Sequence, residues 1–120
     1  MKARMRPPVH GTAYLDIIKG ASKKEGDEIV TVTKVKNTSD APIVGLKVEE
    51  FWYDKSGQAG AGDGRLRYPL APGEIAEITT RSQYKTGLTG SQLRFTHQNG
   101  QVKVTSVKKF TEDKKDTKKK

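Results

Sequence analysis

Cysteine is absent from this chain, which excludes disulfides, thiolate metal sites, cysteine nucleophiles and redox relays together. The compartment stays open, because cytosolic proteins and many exported bacterial domains alike manage without crosslinks. Long apolar runs are missing too, and no stretch approaches the roughly 18 apolar residues that a spanning helix needs. The basic opening "MKARMRPP" is followed by no apolar core, since "AYLDII" is short and holds Asp16. An exported form would have lost its signal already, with Met1 as an expression start. Histidine is scarce: His10 and His97 lie far apart, and no H-E-x-x-H or H-x-x-x-H spacing surrounds either. The serines have no G-x-S-x-G context, and no carboxylate pair is placed for acid-base work. The expectation is no enzyme, no metal and no cofactor, with His97 as a partly buried structural histidine.

What the chain has is charge and β-branched residues. Its 120 residues suffice for one domain that folds without metals or crosslinks. Only 32% of residues are hydrophobic and 31% are charged, so part of the chain is expected to lie outside any core. The net charge of +9 sits mostly at the ends, with +3 in residues 1–8, +4 in residues 108–120 and +2 between them. The expected organisation is a disordered basic segment over 1–8, a folded domain over 9–110 and a disordered Lys-rich tail over 111–120, "TEDKKDTKKK" having no apolar residue. The tail is read as a solvated segment that aids solubility or as a linker remnant, with attraction of lipid headgroups, polyanionic glycans or nucleic acid through salt-sensitive counterion release as the alternative. Specific nucleic-acid recognition is not expected of a domain that is itself nearly neutral.

From about residue 9 to residue 109, β-branched and aromatic runs alternate with turn clusters every roughly 8–12 residues, the spacing of an all-β domain. Seven strands are predicted, over 11–18, 28–37, 43–54, 64–69, 74–81, 91–98 and 101–108. Their number fits an immunoglobulin-like antiparallel β-sandwich. In "LAPGE", Pro72 suits the second position of a type II turn and Gly73 the third. Asn99-Gly100 predicts a two-residue hairpin with Gln98 facing Gln101. In that register Leu93, Phe95, Val102 and Val104 share the inward face.

The segment "VEEFWYDKSGQ" places Leu46, Val48, Glu50 and Trp52 on one face, and Lys47, Glu49, Phe51 and Tyr53 on the other. Trp52, Leu46 and Val48 make the better inward set, which leaves Glu50 in an apolar row. An unpaired buried carboxylate would cost several kcal/mol. Glu50 is therefore expected at the rim or turned outward by a β-bulge, with pairing to Arg65, Arg67 or Arg81 as the other solution.

The succession Val35-x-Asn37-Thr38-Ser39, "IVGLKVEEFWYDKSG" and "LAPGE" resembles the FxLYD-type domains, immunoglobulin-like modules of bacterial and archaeal envelope or secreted proteins. Tyr53 and Asp54 match that pattern, with Gly57 as the turn glycine; Trp52 stands for its Leu, and Glu50 departs from its Phe. The resemblance spans roughly residues 28 to 80. It implies a sandwich and a bacterial periplasmic, cell-surface or secreted setting, and it brings no catalytic residues.

Other segments invite chemical readings. "GQAGAGDG" (57–64) fits no phosphate loop and is expected to be a flexible interstrand loop, with Asp54 and Asp63 as candidate ligands of a weak cation. Asn37-Thr38-Ser39 satisfies a glycosylation pattern, but Asn37 is expected to end a strand and start a turn. Exposed Phe51, Tyr53, Tyr68 and Tyr84 are a candidate stacking platform for sugars or a protein partner. The function expected is a non-enzymatic interaction or assembly module whose partner is another protein. The alternative is a module that binds a glycan or anionic polymer through Phe51, Tyr53, Tyr68, Arg65 and Arg67 with help from the basic ends.

Overall fold

A computed structural model of the chain describes residues 7–110. The ends expected to be disordered therefore fall outside the described residues, apart from Pro7 and Pro8 of the first. Seven strands form: β1 (Ala13–Glu25), β2 (Glu28–Asn37), β3 (Lys47–Asp54), β4 (Gly57–Arg65), β5 (Ile75–Gln83), β6 (Gly90–His97) and β7 (Gly100–Ser106). Period-two patterning explains them: in β5, "IAEITTRSQ" alternates exposed and buried at every position. No helix among the described residues is long and apolar enough to cross a membrane.

The strands close into a barrel in the order β1-β2-β5-β4-β3-β6-β7, which corrects the expected immunoglobulin-like sandwich. Two features join the edges that a sandwich leaves open. First, β1 runs on to Glu25 instead of ending at Ile18, and it holds β2 antiparallel on one edge and β7 parallel on the other, from Ala13↔Val102 to Ile17↔Ser106. Second, "GQAGAGDGR" is strand β4, not the expected loop. Its inward positions Gly60, Gly62 and Gly64 pair with Trp52, Glu50 and Val48 of β3. A Cβ on Gly62 would overlap the Arg81 carbonyl, and one on Gly64 the Thr79 carbonyl, so only bare backbone lets β4 lie against β5. The closure is thin in two places. β4 meets β5 at the single pair Asp63↔Arg81, and β6 meets β7 only at Thr96↔Gln101 and His97↔Gly100.

The turn over Ala71-Pro72-Gly73-Glu74 is as expected: Glu74 N–H donates to the Ala71 carbonyl at 2.9 Å, and Gly73 has φ 79°. The last hairpin differs by one position, its loop being Gln98-Asn99 with His97 facing Gly100. The N-terminal segment docks on this turn through Gly11 N–H to the Asn99 carbonyl, and a Cβ on Gly100 would overlap the Gly11 carbonyl. Gly100 thus provides clearance for a neighbouring segment. Pairing shifts by two residues, which preserves the faces: Phe95 is buried, and Leu93 and Val102 pack partly buried on the core, while Val104 stays 37% exposed. The apolar core fills one half of the barrel around Leu15, Val35, Ile43, Leu46, Val48 and Leu70.

Candidate functional site

Along the barrel, the inward row changes from apolar to polar on five strands. It runs from Ile17 to Lys19 on β1, from Val35 to Thr33 and Thr31 on β2, and from Val48 to Glu50 on β3. On β5 it runs from Ile78 to Thr80 and Ser82, and on β6 from Phe95 to Ser91. Glu50 lies at the centre of the polar half and is fully buried, which overturns the expected rim or outward position. Thr80 Oγ1 donates to its Oε1 at 2.8 Å, while Ser91 Oγ at 2.6 Å and Thr31 Oγ1 at 3.2 Å donate to Oε2. Ser22 Oγ lies 2.6 Å from Thr31 Oγ1 and so can donate to it in turn. The compensating cation is Lys19, its Nζ 3.9 Å from Glu50 Oε2, and not Arg65, Arg67 or Arg81. One carboxylate thus links β1, β2, β3, β5 and β6.

Chemically, this arrangement neutralises a buried charge. Ser91 gives its proton to Glu50 and accepts from the Lys19 ammonium at 2.6 Å. Thr33 Oγ1, Ser82 Oγ and Trp52 Nε1 are buried nearby along the same inward rows with no hydrogen-bond partner among the described residues. Each such group costs about 1–3 kcal/mol, so the polar half is the less well satisfied one.

The other buried polar residues are engaged within the chain. His97 is buried, as expected for a structural histidine: its Nε2 lies 2.7 Å from the Gly11 carbonyl, and its Nδ1 accepts the Asn99 N–H at 3.2 Å. That pattern assigns the proton to Nε2. Asn37 ends β2 and starts a turn, as expected. Its Nδ2 donates to the carbonyls of Ala41 and Leu70, and its Oδ1 accepts the Ser39 N–H. Asp54 and Asp63 are not brought together: Asp54 accepts the Ser56 N–H at the β3–β4 turn, whereas Asp63 faces Glu49 and pairs with Lys47. Among the described residues no group of three metal-binding side chains occurs.

The candidate platform is divided. Phe51 and Tyr53 lie half-buried on the outer face of β3, opposite Ala61 and Gln58 of β4. Tyr68 is exposed in the β4–β5 connection, beyond the opposite end of β3, where Leu66 bonds Leu46 and Leu70 bonds Ile43. At about 3.3 Å per residue, that places it more than about 20 Å along the sheet from Tyr53. Arg65 and Arg67 are exposed at the Tyr68 end. Tyr84 follows β5, with Lys24 Nζ 4.9 Å from its ring centre.

The thin seam between β6 and β7 opens a cleft of about 330 Å³ with Leu93, Phe95, Val102 and Val104 in its walls. Beyond Thr96↔Gln101 the two strands share no further pairs, so each presents a strand edge to the cleft.

No family model matches the chain, and no curated protein sequence matches it significantly. Among solved structures it is similar to one described as the structural characterization of IrmA from Escherichia coli, with a TM-score of 0.56 and 9% identity over 82% of this chain and 95% of that one. At that identity the likeness concerns the fold alone.

Proposed function

We propose that this chain is a non-enzymatic module that docks with another protein in the bacterial periplasm, at the cell surface or outside the cell. The observation that carries the proposal is the β6–β7 seam, where two strand edges border a cleft lined by Leu93, Phe95, Val102 and Val104 together with Arg94, Thr96 and Gln101, and where Val104 is 37% exposed. Unpaired strand edges accept a partner strand through main-chain hydrogen bonds, and alternate side-chain pockets select among strands. In support of the non-enzymatic reading, Glu50 is engaged by hydroxyls of the barrel interior and His97 by the backbone of the Gly11 segment. The setting rests on the resemblance of residues 28 to 80 to FxLYD-type domains. A specific nucleic-acid partner is not part of this reading, because the stretch between the basic ends carries only +2.

The test is capture from a bacterial envelope extract by the full chain and by a Val104→Asp variant, with hydrogen exchange mapping the contact. Partner-dependent protection on β6 and β7, lost in the variant, is the expected result. Equal capture by both chains would remove the seam as the interface. Turnover of ester, peptide or glycoside substrates that disappears in Ser91→Ala would overturn the non-enzymatic assignment.

A further inference from the structure

The alternation of β2 leaves a row of valines outside the barrel. With Thr31, Thr33 and Val35 inward, Val32 faces outward opposite the β1 irregularity between Lys19 and Ser22, and Val30 pairs with Lys23. Together with Ile18 and Ala21 they floor a half-enclosed concavity of about 540 Å³. Lys23, Lys34 and Lys108 line it, Lys108 arriving on the segment after β7 that Val107 N–H ties to the Ile17 carbonyl. Its one lining carboxylate, Glu25, is engaged by Arg81 at 3.8 Å, and Arg81 also bonds Glu28. Glu77 lies opposite Lys34 in the β2–β5 register. Among the described residues none of the three lysines has an ion-pair partner.

We infer that this concavity binds a small amphiphilic carboxylate, its alkyl body on Ile18, Ala21, Val30 and Val32 and its anionic head among Lys23, Lys34 and Lys108. An apolar floor with a few convergent charged groups, in a cleft of this size, is the usual build of a small-ligand site. The charge selects an anion, and the floor requires an apolar body. A peptide strand is the poorer occupant, because β2 is paired on both sides and presents no free edge. A bilayer is also poorer: the apolar residues lie at the bottom of the concavity, where a flat surface would meet the lysines first. The inference is independent of the β6–β7 seam.

Backbone amide shifts of the full chain, followed during titration with octanoate, octanol and propionate, test this directly. Octanoate is expected to shift Ile18, Ala21, Val30 and Val32, with octanol about tenfold weaker and propionate without effect over the same range. In Lys23→Glu/Lys34→Glu the preference for octanoate over octanol should vanish while octanol still binds, which shows that the fold and floor persist. Equal affinity for octanoate and octanol in the unaltered chain, or no octanoate shifts at these residues, would overturn the inference. So would perturbation of these amides by phosphatidylglycerol vesicles without a response to octanoate.

Discussion

Ser91 Oγ lies 2.6 Å from Glu50 Oε2 and 2.6 Å from Lys19 Nζ, and it bridges an ion pair whose own atoms stand 3.9 Å apart. The carboxylate is fully buried, whereas Lys19 remains 36% exposed. The two partners therefore contribute unequally. Glu50→Ala removes the acceptor of three hydroxyls and is expected to destabilise the barrel by about 3 kcal/mol or more in urea unfolding. Lys19→Met leaves those hydroxyl bonds in place but strips a fully buried carboxylate of its cation, and is expected to cost about 2 kcal/mol, below the Glu50→Ala effect because the Lys19 end is partly solvated. A Glu50→Ala effect below about 0.5 kcal/mol would show that the network does not hold the strands together.

Much of the strand pattern was legible from period two and turn chemistry. β2 coincides with 28–37, and β5, β6 and β7 begin and end within two residues of expectation. The inward choice was harder. In "EIVTVTKVKN" the valines at 30 and 32 and the threonines at 31 and 33 compete for the interior, and hydropathy favours the valines. The barrel instead turns the threonines inward and leaves Val30 and Val32 on the outer side, where Val30 is still covered, because Thr31 bonds Glu50 across the interior and a one-residue slip would reverse every side chain. Glu50 was recognisable as an anomaly, but its partners come from β1, β2, β5 and β6, far away in sequence. Closure was illegible for a related reason: glycine in β4 signals loop locally, and its value as clearance emerges only once β5 lies beside it.

That clearance makes a contrast within one strand. Gly62→Ala would drive a methyl into the Arg81 carbonyl and Ser82 Oγ, whereas Gly60→Ala meets nothing within 4 Å. The first is expected to cost about 2 kcal/mol or more and to raise hydrogen exchange at the β4–β5 seam, and the second to stay within about 0.5 kcal/mol. Equal effects of the two in denaturant titrations would mean that the seam tolerates separation.

Asn37 is a staple between segments. Its side chain donates to Ala41 at 2.9 Å and to Leu70 at 2.8 Å and accepts from Ser39 at 2.8 Å. Asn37→Ala leaves these backbone groups without their partner and is expected to cost about 2–3 kcal/mol. Asn37→Asp should also destabilise, because a carboxylate cannot donate to two carbonyls. A near-native melting temperature for the aspartate variant would show that the donor bonds are dispensable.

Thr33 supplies the opposite sign. Its hydroxyl is fully buried without a partner among the described residues, at the boundary between the apolar and polar halves and in register with Ile78. Valine has nearly the same shape and carries no group to desolvate. Thr33→Val is therefore expected to stabilise the barrel by about 1 kcal/mol, whereas Thr31→Val, which loses the bonds to Glu50 and Ser22, should destabilise it. The paired measurement separates hydrogen bonding from hydrophobicity, because both substitutions add the same methyl to the same strand face. If both variants shift the unfolding midpoint in the same direction, the distinction drawn between a satisfied and an unsatisfied hydroxyl fails.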